Sequence, residues 1–304
     1  MAPFPQKVIR CMFGVGEKVA PSLAGRAAFE LFCRTPDPRK LTPKERIAVA
    51  AAGDFMQNAR RHCLTTPAGR VTAYEFRAEV PARRAGTVLV LHGWRSRTEY
   101  MRFLIAGYRD AGYRVISLDL PGHGQSGGRK LTLMSAVEAA HMAGQWFGPF
   151  EAVIGHSFGG AVSLNAAAGF MPGIPPLETK RLVLIAAPNS LPSVFEGYSR
   201  QLNVGPRAQA SLAESVRRLS GRRLDEFMGD RQLAMLRLPT LIVHAPDDRE
   251  VPANQAKALA EAGPHVDICW AQGLGHRRIL ADPAVIERAV NFVSRRHDAP
   301  VSLH

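Results

Sequence analysis

Cysteine is scarce in this chain of 304 residues: Cys11, Cys33, Cys63 and Cys269 are widely scattered and form no CxxC pair. That spacing fits no zinc-ligand set and offers no disulfide framework, so free, buried thiols in a reducing cytoplasm are expected. Long apolar runs are missing too. No stretch approaches the roughly 18 consecutive apolar residues of a membrane span, and the N-terminus lacks a charged segment followed by an unbroken apolar one and a cleavage site. A soluble, cytoplasmic chain is therefore expected, with export not indicated. Acidic residues fall short of basic ones, 26 against 39, which gives a formal charge of +13 and a pI near 10.2. An excess of that size attracts polyanions. Here, however, the basic residues are spread along the chain as Arg-Arg pairs, not gathered in blocks, and no nucleic-acid module accompanies them. The reading is a solvated surface and no nucleic-acid partner. Internal repeats and low-complexity tracts are absent.

What is present suits one large α/β domain: 46% of the residues are hydrophobic, enough for a substantial core. Residues 1–69 read as a helical extension. In it Val8, Ile9, Met12, Phe13, Val15 and Val19, then Leu23, Ala27, Ala28, Leu31 and Phe32, recur at helical spacing among Lys and Arg. Such a face packs on its own domain more often than it lies on an anionic membrane, and packing is the reading adopted. Thr42, Pro43 and Glu45 form a capping box with proline at the first helical position, predicting a helix from Pro43 towards Arg60. Strand patterns then begin at 71–76 and 87–91. Alternation continues through helix 98–111, strand 113–118, helix 132–147 and strands 152–156, 181–186, 240–244 and 266–270, with later helices at 252–261 and 283–295. This order predicts a mostly parallel sheet with helices on both faces, built from residues 70–187 and 239–297 and followed by a tail, 298–304. Residues 188–238 interrupt it with helical patterns at 208–219 and 224–236, an inserted cap placed to act as a lid over the strand ends.

The chain turns most sharply at Gly155, His156, Ser157, Phe158 and Gly159, a G-x-S-x-G spacing between an apolar strand and a small-residue helix. A serine in a strained strand-to-helix turn projects its Oγ, and glycines at the two outer positions let strand and helix pass close to it. Serine needs an imidazole to take its proton, and the imidazole needs an acid to fix its tautomer. His276, in a glycine-rich loop after the last predicted strand, is the candidate base. For the acid, the loop after strand 240–244 offers Asp247 and Asp248. Asp248 is chosen because Val251 can anchor its loop and Pro252 open the next helix; Asp247 remains the alternative, with turn capping as its other role. The backbone N–H groups of Phe158, at a helix start, and Trp94, in the turn after strand 87–91, are the candidate oxyanion hole. The Trp94 side chain is also placed to line an acyl pocket. His92, His123, His156 and the 119–126 turn read as loop architecture at the rim.

Together the motifs HGW at 92–94, DLPGHGQSGG at 119–128, GHSFGG at 155–160, PDDREVP at 246–252 and GLGH at 273–276 resemble those of the α/β-hydrolase superfamily, in its serine esterase, monoacylglycerol lipase-like and serine aminopeptidase branches. The resemblance covers about residues 70–297. It implies the α/β-hydrolase fold and assigns Ser157, His276 and Asp248 as nucleophile, base and acid. It further implies a carboxylester hydrolase acting on a small-molecule acyl substrate with no metal and no organic cofactor. A thioesterase, an acyltransferase, a peptidase or a non-catalytic receptor would use the same scaffold. Arg277 and Arg278, directly after the histidine, depart from the pattern and raise the prospect of an anionic substrate group.

Overall fold

The apolar runs assemble into one eight-stranded sheet in the computed structural model, which describes residues 4–78 and 86–295. The strands are β1 (Ala59–Thr66), β2 (Gly69–Phe76), β3 (Thr87–Leu91), β4 (Arg114–Asp119), β5 (Phe150–His156), β6 (Leu182–Ile185), β7 (Thr240–His244) and β8 (Val266–Trp270). Their spatial order is β1-β2-β4-β3-β5-β6-β7-β8. β1 and β2 form an antiparallel hairpin, β2 pairs antiparallel with β4, and every later pairing is parallel. The expected tail, 298–304, lies outside the described residues.

Because side chains alternate across a strand, each parallel strand feeds two cores. Leu89, Leu91, Ile116, Leu118, Val153, Leu184 and Ile242 enter one of them. Their sequence neighbours Val88, Val90, Val115, Ile154, Val183 and Val243 enter the other. All are fully buried. At about 1.5–3 kcal/mol for each aliphatic side chain removed from water, this two-sided burial is what holds the sheet. Helices α1 to α13 cover it or join its strands: α1 (Phe4–Val19), α2 (Pro21–Cys33), α3 (Pro43–Ala50), α4 (Gly53–Gln57), α5 (Arg102–Asp110), α6 (Leu133–Phe147), α7 (Phe158–Ala167), α8 (Leu191–Leu202), α9 (Pro206–Ser220), α10 (Gly229–Leu236), α11 (Ala253–Ala260), α12 (Gly275–Arg278) and α13 (Pro283–Ser294). α5 and α13 serve the second core, α6 and α7 the first.

Several expectations change. The capping box is made as expected, with the Glu45 N–H donating to Thr42 Oγ1 at 3.3 Å and the Thr42 N–H donating to Glu45 Oε2 at 2.7 Å. The helix it starts nevertheless ends at Ala50, and α4 follows only briefly before β1 begins at Ala59. The stretch 59–66 is therefore an edge strand of the main sheet, not part of a helical extension. The Thr66 hydroxyl closes the β1–β2 turn on the Gly69 carbonyl at 2.8 Å. The inserted segment 188–238 holds three α-helices, α8, α9 and α10, where two were expected; residues 224–226 form a separate 3₁₀ turn. All four cysteines are free, but Cys11 and Cys63 are exposed, not buried.

The N-terminal helices join this insertion. α9 has no side-chain cap of its own. Glu17 of α1 supplies one instead, its carboxylate accepting from Arg207 N at 3.0 Å and Ala208 N at 2.9 Å, where a negative charge also complements the helix dipole. Arg10 donates to the Arg200 carbonyl at 3.1 Å, Tyr198 to the Ala28 carbonyl at 3.0 Å and Ser211 to the Ser22 carbonyl at 2.9 Å. Helices α1, α2, α8 and α9 thus pack as one layer, and Phe32 of α2 stacks on Trp94 in the turn after β3. Among the described residues, no helix is long and apolar enough to cross a membrane.

Candidate active site

At the end of β5 the backbone turns within one residue. Ser157 takes φ 54° and ψ −122°, a conformation that side chains rarely adopt, and is anchored by donating its N–H to the Ile185 carbonyl at 2.8 Å. The neighbouring glycines are sterically required. A Cβ on Gly155 would lie 2.3 Å from the Gly159 carbonyl oxygen, and one on Gly159 only 2.2 Å from that of Leu91. Phe158 opens α7 directly after the serine. On the other side, a Cβ on Gly93 would touch Ser157 Cβ at 3.0 Å, so the turn carrying Trp94 lies against the serine.

Two buried histidines hold that turn. His92 Nδ1–H donates to the Gly93 carbonyl at 2.8 Å and its Nε2 accepts from Leu120 N at 2.9 Å. His123 Nδ1–H donates to the Pro121 carbonyl and its Nε2 accepts from Arg95 N, both at 3.0 Å. Each ring is thereby fixed as the neutral Nδ1–H tautomer. Burial, the largest influence, pushes both down to about 4. Asp119 organises the rest of the loop, accepting from Thr98 N at 2.9 Å and from Gln125 N at 2.8 Å. These residues are the loop architecture expected of them.

His276 and Asp248 meet across 28 residues of sequence: His276 Nδ1 lies 2.7 Å from Asp248 Oδ2, and both side chains are buried. The other carboxylate oxygen accepts from Glu250 N at 2.8 Å and Val251 N at 2.9 Å, which makes Val251 the loop anchor. Burial alone would raise the Asp248 carboxyl, but His276 and the two backbone donors outweigh it and hold it below the usual carboxylate range. Asp247 is exposed and, among the described residues, has only a long contact, 3.4 Å, from Gly275 N. His276 sits in the one-turn helix α12. Its carbonyl accepts from His156 Nε2 at 2.8 Å, so His156 is a buried support beneath His276 and not a rim residue. Burial drives His156 down to about 3.

Ser157 opens into a cavity of about 650 Å³. Trp94, Phe158 and Phe32 line one wall, with Phe32 stacked on Trp94 at 5.6 Å and Trp94 edge-on to Phe158 at 5.7 Å. Sequence reasoning missed Phe32, which arrives from α2, and the carboxamides Asn165, Asn189, Gln232 and Gln255. It also missed Glu250, which lines the cavity with Oε2 3.8 Å from His276 Nε2. Spacing gives no signal for contacts between such distant segments. Arg277 instead pairs with Glu250 at 3.2 Å and Arg278 donates to the Gly273 carbonyl at 2.5 Å. Neither lines the cavity, so this pair supplies no anion site there. Among the described residues, no group of three or more His, Cys, Asp and Glu could hold a metal ion.

A mostly parallel sheet, a strained serine after its fifth strand and a helical insertion before its seventh together define the α/β-hydrolase fold. The chain belongs to the alpha/beta hydrolase family, whose model matches residues 88–289. The carboxylesterase CesB of Bacillus subtilis is similar in structure with a TM-score of 0.59, at 15% identity over 82% of this chain and 96% of that one. Est1E of Butyrivibrio proteoclasticus, determined with ferulic acid bound, is similar with a TM-score of 0.60, at 16% identity over 77% and 100%. In sequence, the chain is 36% identical over 103 residues to the dihydrolipoyllysine-residue acetyltransferase component of the acetoin cleaving system of Cupriavidus necator. That match covers 28% of this chain and only 24% of the relative's length.

Proposed function

We propose that this protein is a serine-dependent carboxylester hydrolase with Ser157 as nucleophile, His276 as base and Asp248 as acid. The observation that carries the reading is the strained Ser157 at a cavity wall together with the buried His276–Asp248 pair, 2.7 Å apart, whose His276 carbonyl is bonded to the ring of His156, the residue just before the serine. With Nδ1–H donated to Asp248, His276 keeps Nε2 free to take the Ser157 proton as Oγ attacks the ester carbonyl. The carbonyl oxygen becomes an anion, stabilised by the backbone N–H groups of Trp94 and Phe158. Collapse breaks the C–O bond, and the alcohol leaves with the proton returned by His276 Nε2. Water then gives a proton to His276 as it attacks the acyl-enzyme, and the second collapse breaks the acyl C–Oγ bond, releases the carboxylic acid and returns that proton from His276 to Ser157 Oγ. The relatives named above include a carboxylesterase, which agrees with this chemistry, while the triad roles rest on the geometry alone.

The cavity, part aromatic and part carboxamide, suits an acyl group with an apolar body. Turnover of p-nitrophenyl esters of increasing acyl length tests the proposal. The expected result is an optimum in chain length and a fall of at least about 10³-fold for Ser157→Ala, with the fold intact by circular dichroism. Full activity in that variant would overturn it.

A further inference from the structure

Helix α1 carries two apolar faces, and among the described residues only one has a partner. Phe13 is buried, and Ile9 packs beside it against the cap helices. Val8, Met12, Val15 and Val19 point the other way, exposed at 44, 67, 56 and 78%. At about 100° per residue these four fall within a band of about 60°, a continuous stripe along the helix. On α2, Leu23 at 64% and Leu31 at 39% extend the exposed apolar surface. Large hydrophobic side chains grouped in this way mark an interaction surface.

The charges beside the stripe indicate what covers it. Lys7, Lys18 and Arg26 are exposed, and no ion pair engages them among the described residues. The acidic side chains of the two helices are already occupied: Glu17 caps α9 and Glu30 pairs with Lys130. Lys7 and Lys18 lie about 90–110° to one side of the stripe's centre, the arrangement of a helix whose apolar face enters a lipid interface while its bases meet the headgroups. A second copy of the chain would bring two bodies of formal charge +13 together, basic flank to basic flank, which repulsion opposes. The same two helices also reach the cavity through their other residues. Arg10 of α1 holds the Arg200 carbonyl of α8, Arg200 lines the cavity, and Phe32 at the end of α2 lines it too.

We propose that the outer face of α1 and α2 docks on an anionic lipid surface, with Met12, Val15, Val19 and Leu23 in the interface and Lys7, Lys18 and Arg26 on the headgroups. This sets the cap and its cavity beside the bilayer, and it does not depend on the chemistry proposed for Ser157.

The test is co-sedimentation of the full chain with phosphatidylglycerol-containing vesicles and with pure phosphatidylcholine vesicles. Binding to the anionic vesicles at least about tenfold tighter than to the neutral ones is expected. The triple substitution Lys7→Ala, Lys18→Ala, Arg26→Ala should weaken it about a hundredfold, from the attraction each base contributes near a charged membrane. Met12→Glu with Val19→Glu should weaken it more than about tenfold, with unchanged circular dichroism and melting temperature, since both residues are exposed. Equal binding to the two vesicle types, or no binding, overturns the inference. So does a dimer in solution that Met12→Glu with Val19→Glu dissociates while the wild type ignores lipid.

Discussion

Replacing Asp248 by asparagine changes almost no volume yet reverses the direction of one hydrogen bond. Asp248 Oδ1 accepts from Glu250 N and Val251 N at 2.8 and 2.9 Å, and asparagine can keep both through its carbonyl oxygen. Its amide then faces His276 Nδ1 across the 2.7 Å contact and can only donate. The imidazole must move its proton to Nε2, which can no longer accept one from Ser157. By the tautomer argument, kcat should fall about 10³–10⁴-fold with KM little changed. The lost charge-assisted bond is worth about 1.5–3 kcal/mol, so the melting temperature should drop by only several degrees in a chain of this size. Steady-state hydrolysis of p-nitrophenyl acetate and a thermal melt measure both. Asp247→Asn is the control: with one long contact at an exposed position, it should change kcat less than about twofold. A large loss in Asp247→Asn with near-normal Asp248→Asn would refute the assignment of the acid.

Three further outcomes follow from the same geometry. His92 and His123, held neutral down to about 4, and His156, down to about 3, take up protons in the unfolded chain near 6.5. Between pH 6.5 and 4 the unfolded state therefore binds more protons, and stability falls on acidification by up to about 4 kcal/mol per pH unit if all three contribute fully; urea midpoints at pH 7, 6 and 5 that stay level or rise would contradict this. Gly159→Ala puts a methyl 2.2 Å from the Leu91 carbonyl oxygen, and a loss of about 3 kcal/mol or more, or failure to fold, is expected by circular dichroism melting. Phe32→Ala removes a wall of the cavity that also packs on Phe195 at 4.5 Å. KM for long-chain p-nitrophenyl esters should rise more than about fivefold, with little change for acetate, and equal effects on both would argue that Phe32 is structural only.

The central parallel strands were legible because each is buried on two faces and so reads as a continuous apolar run, as in Thr87–Leu91 and Thr240–His244. β1 was not. Arg60 and Arg61 stand side by side on its exposed edge, and Leu64 and Thr66 alone are buried, so neither alternation nor an apolar run marks it. The small-residue stretch before Gly53 hides the end of α3 in a similar way, and Gly197 weakens the helical pattern of α8. Ser157, Asp248 and His276 could be chosen because each follows the C-terminal end of a predicted strand, where a parallel sheet gathers its loops. Phe32 and Gln232 reach the cavity through tertiary packing of segments far apart in sequence, whereas Glu250 stands two residues after Asp248 in the same loop. Periodicity located the apolar residues of α1, but only the packing of Glu17 and Arg10 on the cap divides its buried face from its exposed one.

The most direct test of the central claim is labelling with a fluorophosphonate, read by intact mass and by the site of the adduct. An activated Ser157 predicts one adduct per chain, located on Ser157, lost in Ser157→Ala and slowed in Asp248→Asn. A folded wild-type protein that takes no label, or takes it equally in Ser157→Ala, would contradict the account.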